Sequence, residues 1–240
     1  MAEPVLEARG LAKHFGPTVA LHPLDLPVGA GEIVCLLGAN GAGKTTAINL
    51  FLGFTEPTGG EARVLGRSVA EDPAAARRAL GYVAEQAALY PLLTGHENRA
   101  FFAGLAGRTV PTDGGAIVSA LRLQPDAMDR PVGQWSKGMR QKLALAIALD
   151  KGARAILLDE PLSGLDPVAA NELVAVLKET AAAGVALLVA THDIFRAREM
   201  ADRIGILKAG RLVAWVDPAA LSGAELEALY LGHMTEAMAA

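Results

Sequence analysis

The chain has 240 residues, of which 52% are hydrophobic and 20% are charged, and its formal net charge at pH 7 is −4. This length and hydrophobic content allow a sizeable core, whereas the negative charge argues against a nucleic-acid-binding protein, which needs clustered Lys and Arg to neutralise phosphates. The acidic N-terminal segment and the lack of an apolar run of about 18 residues predict a chain that is neither secreted nor membrane-spanning.

The first predicted elements form a small antiparallel sheet. Short apolar runs at residues 5–8, 19–21 and 24–28 alternate with turn residues. A glycine turn at residues 29–31 ends this part of the chain.

The next run, residues 33–37, is apolar throughout and ends in glycines. This pattern predicts a strand that is buried on both faces of a mixed or parallel sheet. Cys35 lies within the run and is the chain's single cysteine, so no intramolecular disulfide is possible and a buried, inert thiol is expected.

The remaining pattern predicts an α/β architecture, because strands and helices alternate except in a mostly helical region at residues 86–150. In chain order the prediction is a helix at 45–52, a strand at 61–65, a helix at 74–80, a strand at 81–83, the helical region, a strand at 155–158, a helix at 168–183, a strand at 185–190, a helix at 195–200, strands at 204–208 and 211–216, and a helix at 223–231. We predict a single domain over residues 1–240, with a helical subdomain at about 86–152 and a C-terminal tail at about 218–240.

Residues 38–46, GANGAGKTT, have the spacing of a phosphate-binding loop, with two glycines five positions apart, then Lys and a hydroxyl residue. Glycines let backbone N–H groups approach phosphate oxygens, and the following helix presents the positive end of its dipole. Lys44 is expected to reach the β- and γ-phosphates, and the Thr45 hydroxyl to bind Mg²⁺. The predicted nucleotide-binding residues of this loop are Gly38, Ala39, Asn40, Gly41, Ala42, Gly43, Lys44, Thr45 and Thr46.

Two acids, Asp159 and Glu160, follow the predicted strand at 155–158. The apolar residues before them place both acids at the carboxyl end of that strand. Asp159 is expected to hold Mg²⁺, directly or through a water, and Glu160 to orient or deprotonate the attacking water. Together with the phosphate-binding loop, this pair predicts hydrolysis of a nucleoside triphosphate.

A serine precedes a predicted helix in the sequence WSKGM, residues 135–139. Ser136 suits the N-cap of that helix, where a hydroxyl, backbone amides and the helix dipole can face an anion. With the phosphate-binding loop before it and the acidic pair after it, the chain resembles the nucleotide-binding domains of ABC transporters over about residues 5–216. The resemblance implies an ABC-type cassette with a mixed central sheet, an N-terminal antiparallel β subdomain and an inserted helical subdomain.

The family's signature segment, typically LSGGQ, is matched at Ser136 and Gly138, whereas Trp135, Lys137 and Met139 depart from it. In the family this segment closes on the ATP held by a second subunit, so the resemblance implies a head-to-tail dimer with two ATP molecules. It adds Ser136, Lys137, Gly138 and Met139 to the nucleotide-binding residues. Lys137 stands where glycine is usual, and it either adds a cation beside the γ-phosphate or points to solvent.

Three further segments resemble the family. Residues 161–166, PLSGLD, resemble the D-loop, which passes along the dimer interface. His192, in the sequence THD, matches the switch histidine, which hydrogen-bonds the γ-phosphate or its attacking water. Phe15, in HFG, aligns with the aromatic that stacks on adenine, the alternative being a core aromatic under the first sheet. The predicted catalytic residues are therefore Glu160, His192 and Lys44.

The segment GYVAEQ at residues 81–86 resembles the family's Gly-Tyr-Val-Pro-Gln pattern, or Q-loop. Direct alignment puts Glu85 on the glutamine position, and a shift of one residue puts Gln86 there. The resemblance implies that one of the two senses Mg²⁺, so the predicted metal-binding residues are Thr45, Asp159, and Glu85 or Gln86. In the family this segment also meets the membrane partner.

The resemblance implies the ATP-hydrolysing subunit of a transporter, working as a homodimer or with a paralogous ATPase. Residues 89–98, LYPLLTGHEN, the SKGM segment and the acid at 85 look most like ATPases paired with ABC-2-type permeases. This would place the chain in the cytoplasm, on the inner face of the cell membrane. The alternative is a soluble ABC ATPase acting on ribosomes or DNA, which would usually carry a second cassette, a basic linker or a long coiled coil. A GTPase would need an Asn-Lys-x-Asp segment, which the sequence lacks.

Overall fold

The computed structural model describes residues 3–110 and 115–235, so residues 236–240 of the predicted tail lie outside the described residues. The strands in these ranges are β1 (Leu6–Phe15), β2 (Thr18–Val28), β3 (Ile33–Leu37), β4 (Gly59–Val64), β5 (Arg67–Ser68), β6 (Leu80–Val83), β7 (Ala155–Asp159), β8 (Ala186–Thr191), β9 (Arg203–Lys208) and β10 (Arg211–Val216). The helices are α1 (Lys44–Phe51), α2 (Pro73–Ala79), α3 (Gly95–Leu105), α4 (Gly115–Ala120), α5 (Pro125–Met128), α6 (Lys137–Asp150), α7 (Pro167–Ala182), α8 (Ile194–Met200) and α9 (Gly223–Thr235), with a 3-10 turn at Val132–Gln134. The α/β class is confirmed, and within the described ranges no helix is long and apolar enough to cross a membrane.

The larger sheet has six strands in the order β10-β9-β3-β8-β7-β6. Its neighbouring strands are parallel except for the antiparallel pair β9 and β10, which confirms the predicted mixed sheet. Because parallel strands share one direction, the carboxyl ends of β3, β7 and β8 meet at the same edge. The loop after β3 and the polar residues that end β7 and β8 are brought together there.

The smaller sheet is antiparallel, with the order β2-β1-β4-β5. Two separate strands were predicted in the region of β2, but the structure has one continuous strand through Pro23. The strand tolerates this proline because β2 is at the sheet's edge, where a missing N–H removes no ladder hydrogen bond. β1 also continues beyond its predicted end to Phe15, and its register shifts between Ala8 and Leu11, around the left-handed Gly10.

The six-stranded sheet separates two apolar clusters, and alternate residues of β3 enter each of them. Cys35 packs in the cluster on the side of α6 and α7, whereas Val34 and Leu36 pack with the antiparallel sheet and α1. All five residues of β3 are buried, as the continuous apolar run predicted. Cys35 is buried as expected, and its burial raises the pKa of the thiol, which disfavours the reactive thiolate.

Helices α3 to α6 occupy most of the region predicted to be helical, but the first of them begins only at Gly95. The buried amide of Asn98 explains part of this difference, because it bonds the Tyr90 backbone at both N (2.9 Å) and O (3.1 Å). Those backbone groups are thereby satisfied without a helix. Arg99 and Asp150, both buried, form a two-point ion pair between α3 and the end of α6, at 2.7 and 3.0 Å.

Candidate nucleotide site

The predicted phosphate-binding loop connects the end of β3 to the start of α1. The helix begins at Lys44, with Gly43 as its N-cap in a left-handed conformation, φ +102°. Side chains are sterically excluded at two glycines, since a Cβ on Gly38 would lie 2.5 Å from the Leu207 carbonyl oxygen and one on Gly43 would lie 2.7 Å from that of Ala20. Backbone packing therefore requires glycine at both positions.

Lys44 is the buried cation of this loop, with only 5% of its surface exposed. Its Nζ donates hydrogen bonds to the carbonyl oxygens of Gly38 (2.6 Å) and Ala39 (3.2 Å). The same ammonium lies 3.4 Å from Oε1 of Glu160. Two carbonyl oxygens and a carboxylate therefore fix the position of the ammonium. Binding of an anion here would need little further ordering of the Lys44 side chain.

Asp159, at the end of β7, is directly linked to the start of α1. The Thr45 hydroxyl donates a 2.8 Å hydrogen bond to Asp159 Oδ2. Burial raises the pKa of Asp159 and the charge of Glu160 raises it further, whereas the hydrogen bond from Thr45 and the charge of Lys44 oppose the rise. The raised pKa means that the negative charge of Asp159 is poorly stabilised where it lies beside a second acid. A cation bound at this place would stabilise that charge.

Glu160 has a left-handed backbone conformation, φ +48°, which is uncommon for a residue with a side chain. Such a conformation costs on the order of 1–3 kcal/mol and is frequent at functional sites. Its Oε2 lies 2.9 Å from Nδ1 of His192, and its Oε1 is buried and accepts no hydrogen bond, although the Lys44 ammonium lies 3.4 Å away. One carboxylate oxygen is therefore held by His192, while the other has unused accepting capacity beside Lys44.

These groups line a cavity of about 430 Å³. Its lining residues are Thr18, Val19, Ala20, Asn40, Gly41, Ala42, Gly43, Lys44, Thr45, Thr46, Glu85, Asp159 and Glu160. The lining offers a helix N-terminus and an ammonium, which suit phosphates, and also a hydroxyl and carboxylates, which suit Mg²⁺. The residues present therefore fit a nucleoside triphosphate with its metal.

The two candidate residues of the Q-loop occupy different positions. Glu85 lines the cavity, whereas Gln86 is exposed and does not. Glu85 Oε1 also accepts a 3.1 Å hydrogen bond from the hydroxyl of Ser163, in the segment that resembles the D-loop. Of the two alternatives, the geometry brings Glu85 alone to the predicted metal site.

The segment 136–139 lies at the N-terminus of α6, outside the cavity. The predicted N-cap is confirmed, since the exposed Ser136 accepts a 3.2 Å hydrogen bond at Oγ from the Met139 amide. Gly138 is buried against α7, where an added Cβ would lie 3.1 Å from Ala169 Cβ. Lys137 does not simply point to solvent, because its Nζ lies 3.9 Å from Glu85 Oε1.

Phe15 is 54% exposed at the end of β1 and is not part of the core, so the interpretation as a core aromatic is wrong. Its register partner is Thr18, which lines the cavity. The Lys13 ammonium lies 4.9 Å from the centre of the ring. An exposed ring beside the cavity is suitably placed for stacking on a flat base.

The sequence interpretation missed two groups that form the site. Residues 18–20 line the cavity from the start of β2, but a short Thr-Val-Ala run carries no distinctive signal. Gln141 is 1% exposed, and its Nε2 donates to the carbonyl oxygens of Ala84 (3.1 Å) and Glu85 (2.8 Å). A polar residue on the apolar face of α6 was the available signal for Gln141.

Comparison with known proteins gives the family of the chain. The model of the family described as "ABC transporter" matches residues 21–163, more than half of the chain. A probable multidrug ABC transporter ATP-binding protein of Escherichia coli, YbhF, is 38% identical over 215 residues, which are 88% of this chain. A fluoroquinolones export ATP-binding protein of Mycobacterium tuberculosis is 37% identical over 90% of the chain. The chain spans 37% of the length of the first relative and 72% of the second.

Solved structures extend the likeness to the fold. An ATP-binding subunit of an ABC transporter superposes with a TM-score of 0.82 at 30% identity, over 95% of this chain and 98% of that one. MJ0796, a bacterial ABC transporter cassette solved as a dimer, gives a TM-score of 0.78 at 26% identity, over 89% of this chain and 98% of that one. The chain belongs to the ABC transporter family, and its fold is that of the family's ATP-binding domain.

Proposed function

We propose that this chain binds and hydrolyses ATP with Mg²⁺ and so energises transport by a separate membrane permease. The observation that carries the proposal is the convergence of Lys44, Asp159 and Glu160 on one cavity. We further propose that residues 1–240 act as one nucleotide-binding domain, with the helical subdomain at about 86–152 and the tail at about 218–240.

Each residue's proposed role follows from its position. The amides of the loop and the Lys44 ammonium bind the phosphates. Thr45, Asp159 and Glu85 would hold Mg²⁺, which offsets phosphate charge when bound. Glu160 accepts the proton of the attacking water at a carboxylate oxygen and keeps its orientation through His192.

We propose that a second copy, or a paralogue, completes the site. The segment 136–139 lies outside the cavity of its own copy, and Ser136 presents a capped helix N-terminus at the surface. The MJ0796 cassette is solved as a dimer, including a post-hydrolysis state bound to ADP and Pi, which supports pairing of two chains. In such a pair each Ser136 would face the phosphates bound by the other copy.

Substitution of Glu160 by Gln tests both hydrolysis and pairing. The variant retains the size and one accepting oxygen of the side chain but loses its basicity, so we expect ATP to bind and turnover to fall by roughly 10²–10⁴-fold. Light scattering should then detect an ATP-dependent dimer that persists. Parental turnover in this variant would refute the role of Glu160, and a monomer with bound ATP would refute the pairing.

The membrane partner is proposed from a groove of about 830 Å³ beside residues 84–89. The groove has an apolar floor that includes Phe102 and Ile147, and its charged lining residues are Arg77, Arg78, Arg108 and Lys151, with no acid among the lining. This charge suits an amphipathic helix with acidic residues. We propose that an ABC-2-type permease supplies that helix, and that the chain works in the cytoplasm on the inner face of the membrane.

Co-purification of the tagged chain from membranes tests this partner. Charge reversal of the exposed Arg78 to Glu should reduce recovery of a hydrophobic membrane protein, while the same change at the exposed Arg67 on β5, outside the groove, should not. Equal recovery with both variants would exclude the groove as the contact. Recovery of ribosomes or DNA in place of a membrane protein would refute the transport role.

A further inference from the structure

Two residues of α6, one helical turn apart, both contact Glu85. Gln141 is buried, and its side-chain amide donates to the carbonyl oxygens of Ala84 and Glu85 at 3.1 and 2.8 Å. Lys137, four positions earlier, places its ammonium 3.9 Å from the Glu85 carboxylate. Residues at this spacing lie on the same face of a helix, so α6 holds Glu85 by its backbone and by its side chain.

The Glu85 side chain is held from a second direction as well. Its Oε1 accepts the hydrogen bond from the Ser163 hydroxyl at 3.1 Å. The Lys137 ammonium lies over the same turn, 3.7 Å from the position that a Cβ on Gly164 would occupy. Three segments therefore meet at one carboxylate: residues 136–139, the D-loop-like turn, and the Q-loop.

The charge at position 85 needs a partner because of its surroundings. Glu85 lines the same cavity as Asp159 and Glu160, and its charge contributes to the raised pKa of Asp159. Like charges so close together repel, and an exposed carboxylate of this kind would turn toward solvent unless it were held. Lys137, which does not line the cavity, supplies the opposite charge.

The sequence departs from the family's pattern at both of these positions, with Glu85 in place of glutamine and Lys137 in place of glycine. The structure brings the two departures together as an ion pair. An exposed pair of this length contributes little to the stability of a fold.

We propose that Lys137 is a positioning residue for Glu85 and acts within its own copy, holding the carboxylate in the wall of the cavity for Mg²⁺. The N-terminus of α6 thereby controls the metal site of the copy to which it belongs, in addition to facing the other copy. The proposal rests on the proposed role of Glu85 as a Mg²⁺ ligand.

A double-mutant cycle with Lys137→Met and Glu85→Gln tests the proposal in the full chain. Methionine retains the aliphatic stem of the lysine and removes its charge. Steady-state hydrolysis gives the turnover. Displacement of Mn²⁺ by Mg²⁺ from the chain with a bound non-hydrolysable ATP analogue, followed by electron paramagnetic resonance, gives the half-saturating Mg²⁺ concentration. We expect Lys137→Met to raise that concentration by about three- to tenfold and to lower turnover, with no further effect in the Glu85→Gln background. Lys137→Arg should restore both values, and the exposed Lys178→Met should leave them unchanged.

The alternatives give different results. A Lys137→Met effect that persists in the Glu85→Gln background would mean that Lys137 acts on the other copy's ATP, and it would overturn the proposal. If Lys137→Met lowered the half-saturating Mg²⁺ concentration in both backgrounds, its effect would be only the removal of a nearby positive charge. That result would also overturn the proposal. If Glu85→Gln itself changed nothing, the proposed metal role of Glu85 would fail first.

Discussion

The two regions of this chain that we propose to face phosphates differ in completeness. The loop 38–46 and the acids at 159 and 160 form a complete group of contacts within one chain. Lys44 and Asp159 are both buried and linked to neighbouring groups. The segment 136–139 is capped, but Ser136 is exposed and does not line the nucleotide cavity of its own copy. We infer that the first region binds nucleotide in a single chain and that the second requires a second chain.

This difference has a physical origin. The first region sits where three parallel strands of the same sheet end, so the core fixes the relative positions of its residues. The second region begins a helix in a separate, mostly helical part of the chain, joined to the first region through Glu85 and Gln141. Substitutions in the two regions should consequently affect binding and turnover in different ways.

Loss of Lys44 should have the largest effect. In Lys44→Ala, the phosphates lose their buried cation, and turnover should fall by roughly 10²-fold or more together with weaker ATP binding. Steady-state hydrolysis and equilibrium binding of a fluorescent ATP analogue measure the two effects. Lys178→Ala on α7, an exposed lysine outside the cavity, is the control. Unchanged binding and turnover in Lys44→Ala would mean that the loop does not bind nucleotide through its buried cation. The proposed difference between the two regions would then be wrong.

Ser136→Ala should separate turnover from binding. If Ser136 faces the other copy's phosphates as proposed, loss of its hydroxyl should reduce turnover by about tenfold to a hundredfold, while ATP binding by a single chain should be retained. The lost N-cap also costs about 1 kcal/mol of helix stability. Ser222→Ala removes a comparable cap from α9, so it controls for stability alone. An equal loss of turnover in both variants would show that Ser136 is only a cap.

Phe15→Ala should weaken binding within one chain. Stacking of a base on an aromatic ring contributes about 1–3 kcal/mol, so the affinity for ATP should fall by about tenfold, whereas Phe15→Tyr should retain it. Titration calorimetry with the Mg²⁺-ATP complex is the measurement. Phe195→Ala removes a similarly exposed ring away from the cavity and should change nothing. Unaltered affinity in Phe15→Ala would exclude stacking at this position.

Asp159→Asn should have the smallest effect, and it should be a gain where the other substitutions cause losses. The quantity that changes is the stability of the nucleotide-free chain. Burial raises the pKa of Asp159 in the folded state, so the folded chain holds its proton more tightly than the unfolded chain and loses stability as pH rises through that pKa. Asn removes this loss and retains an acceptor for Thr45. The Tm near neutral pH should therefore rise, by about 2–4 °C for each kcal/mol gained.

The same comparison near the usual aspartate pKa of 3.8 should show no gain, because the carboxyl is then protonated in the folded chain. Asp126→Asn, at an exposed position, is the control and should leave the Tm unchanged. A lower Tm for Asp159→Asn near neutral pH would show that the charged form is stabilised in the folded chain.

Local patterns in the sequence were sufficient to predict the strands, loop and helix that form the candidate nucleotide site. The run 33–37, the glycine-rich loop and the helix after it are contiguous, and the acids at 159 and 160 follow an uninterrupted apolar strand. Each of these patterns depends on residues close together in the chain, so no tertiary information was needed. The strand through Pro23 was missed because its tolerance depends on lying at the edge of the sheet.

The sequence by itself determined the family, the phosphate-binding loop and the acidic pair, because their chemistry is encoded in short, ordered motifs. Only the tertiary structure placed Glu85 and not Gln86 at the cavity, showed that Phe15 is exposed, and brought Lys137 close to Glu85. The two residues of that ion pair are distant in sequence, and their meeting depends on how α6 packs beside the end of β6. Contacts of this kind arise from packing between elements, which no local pattern records.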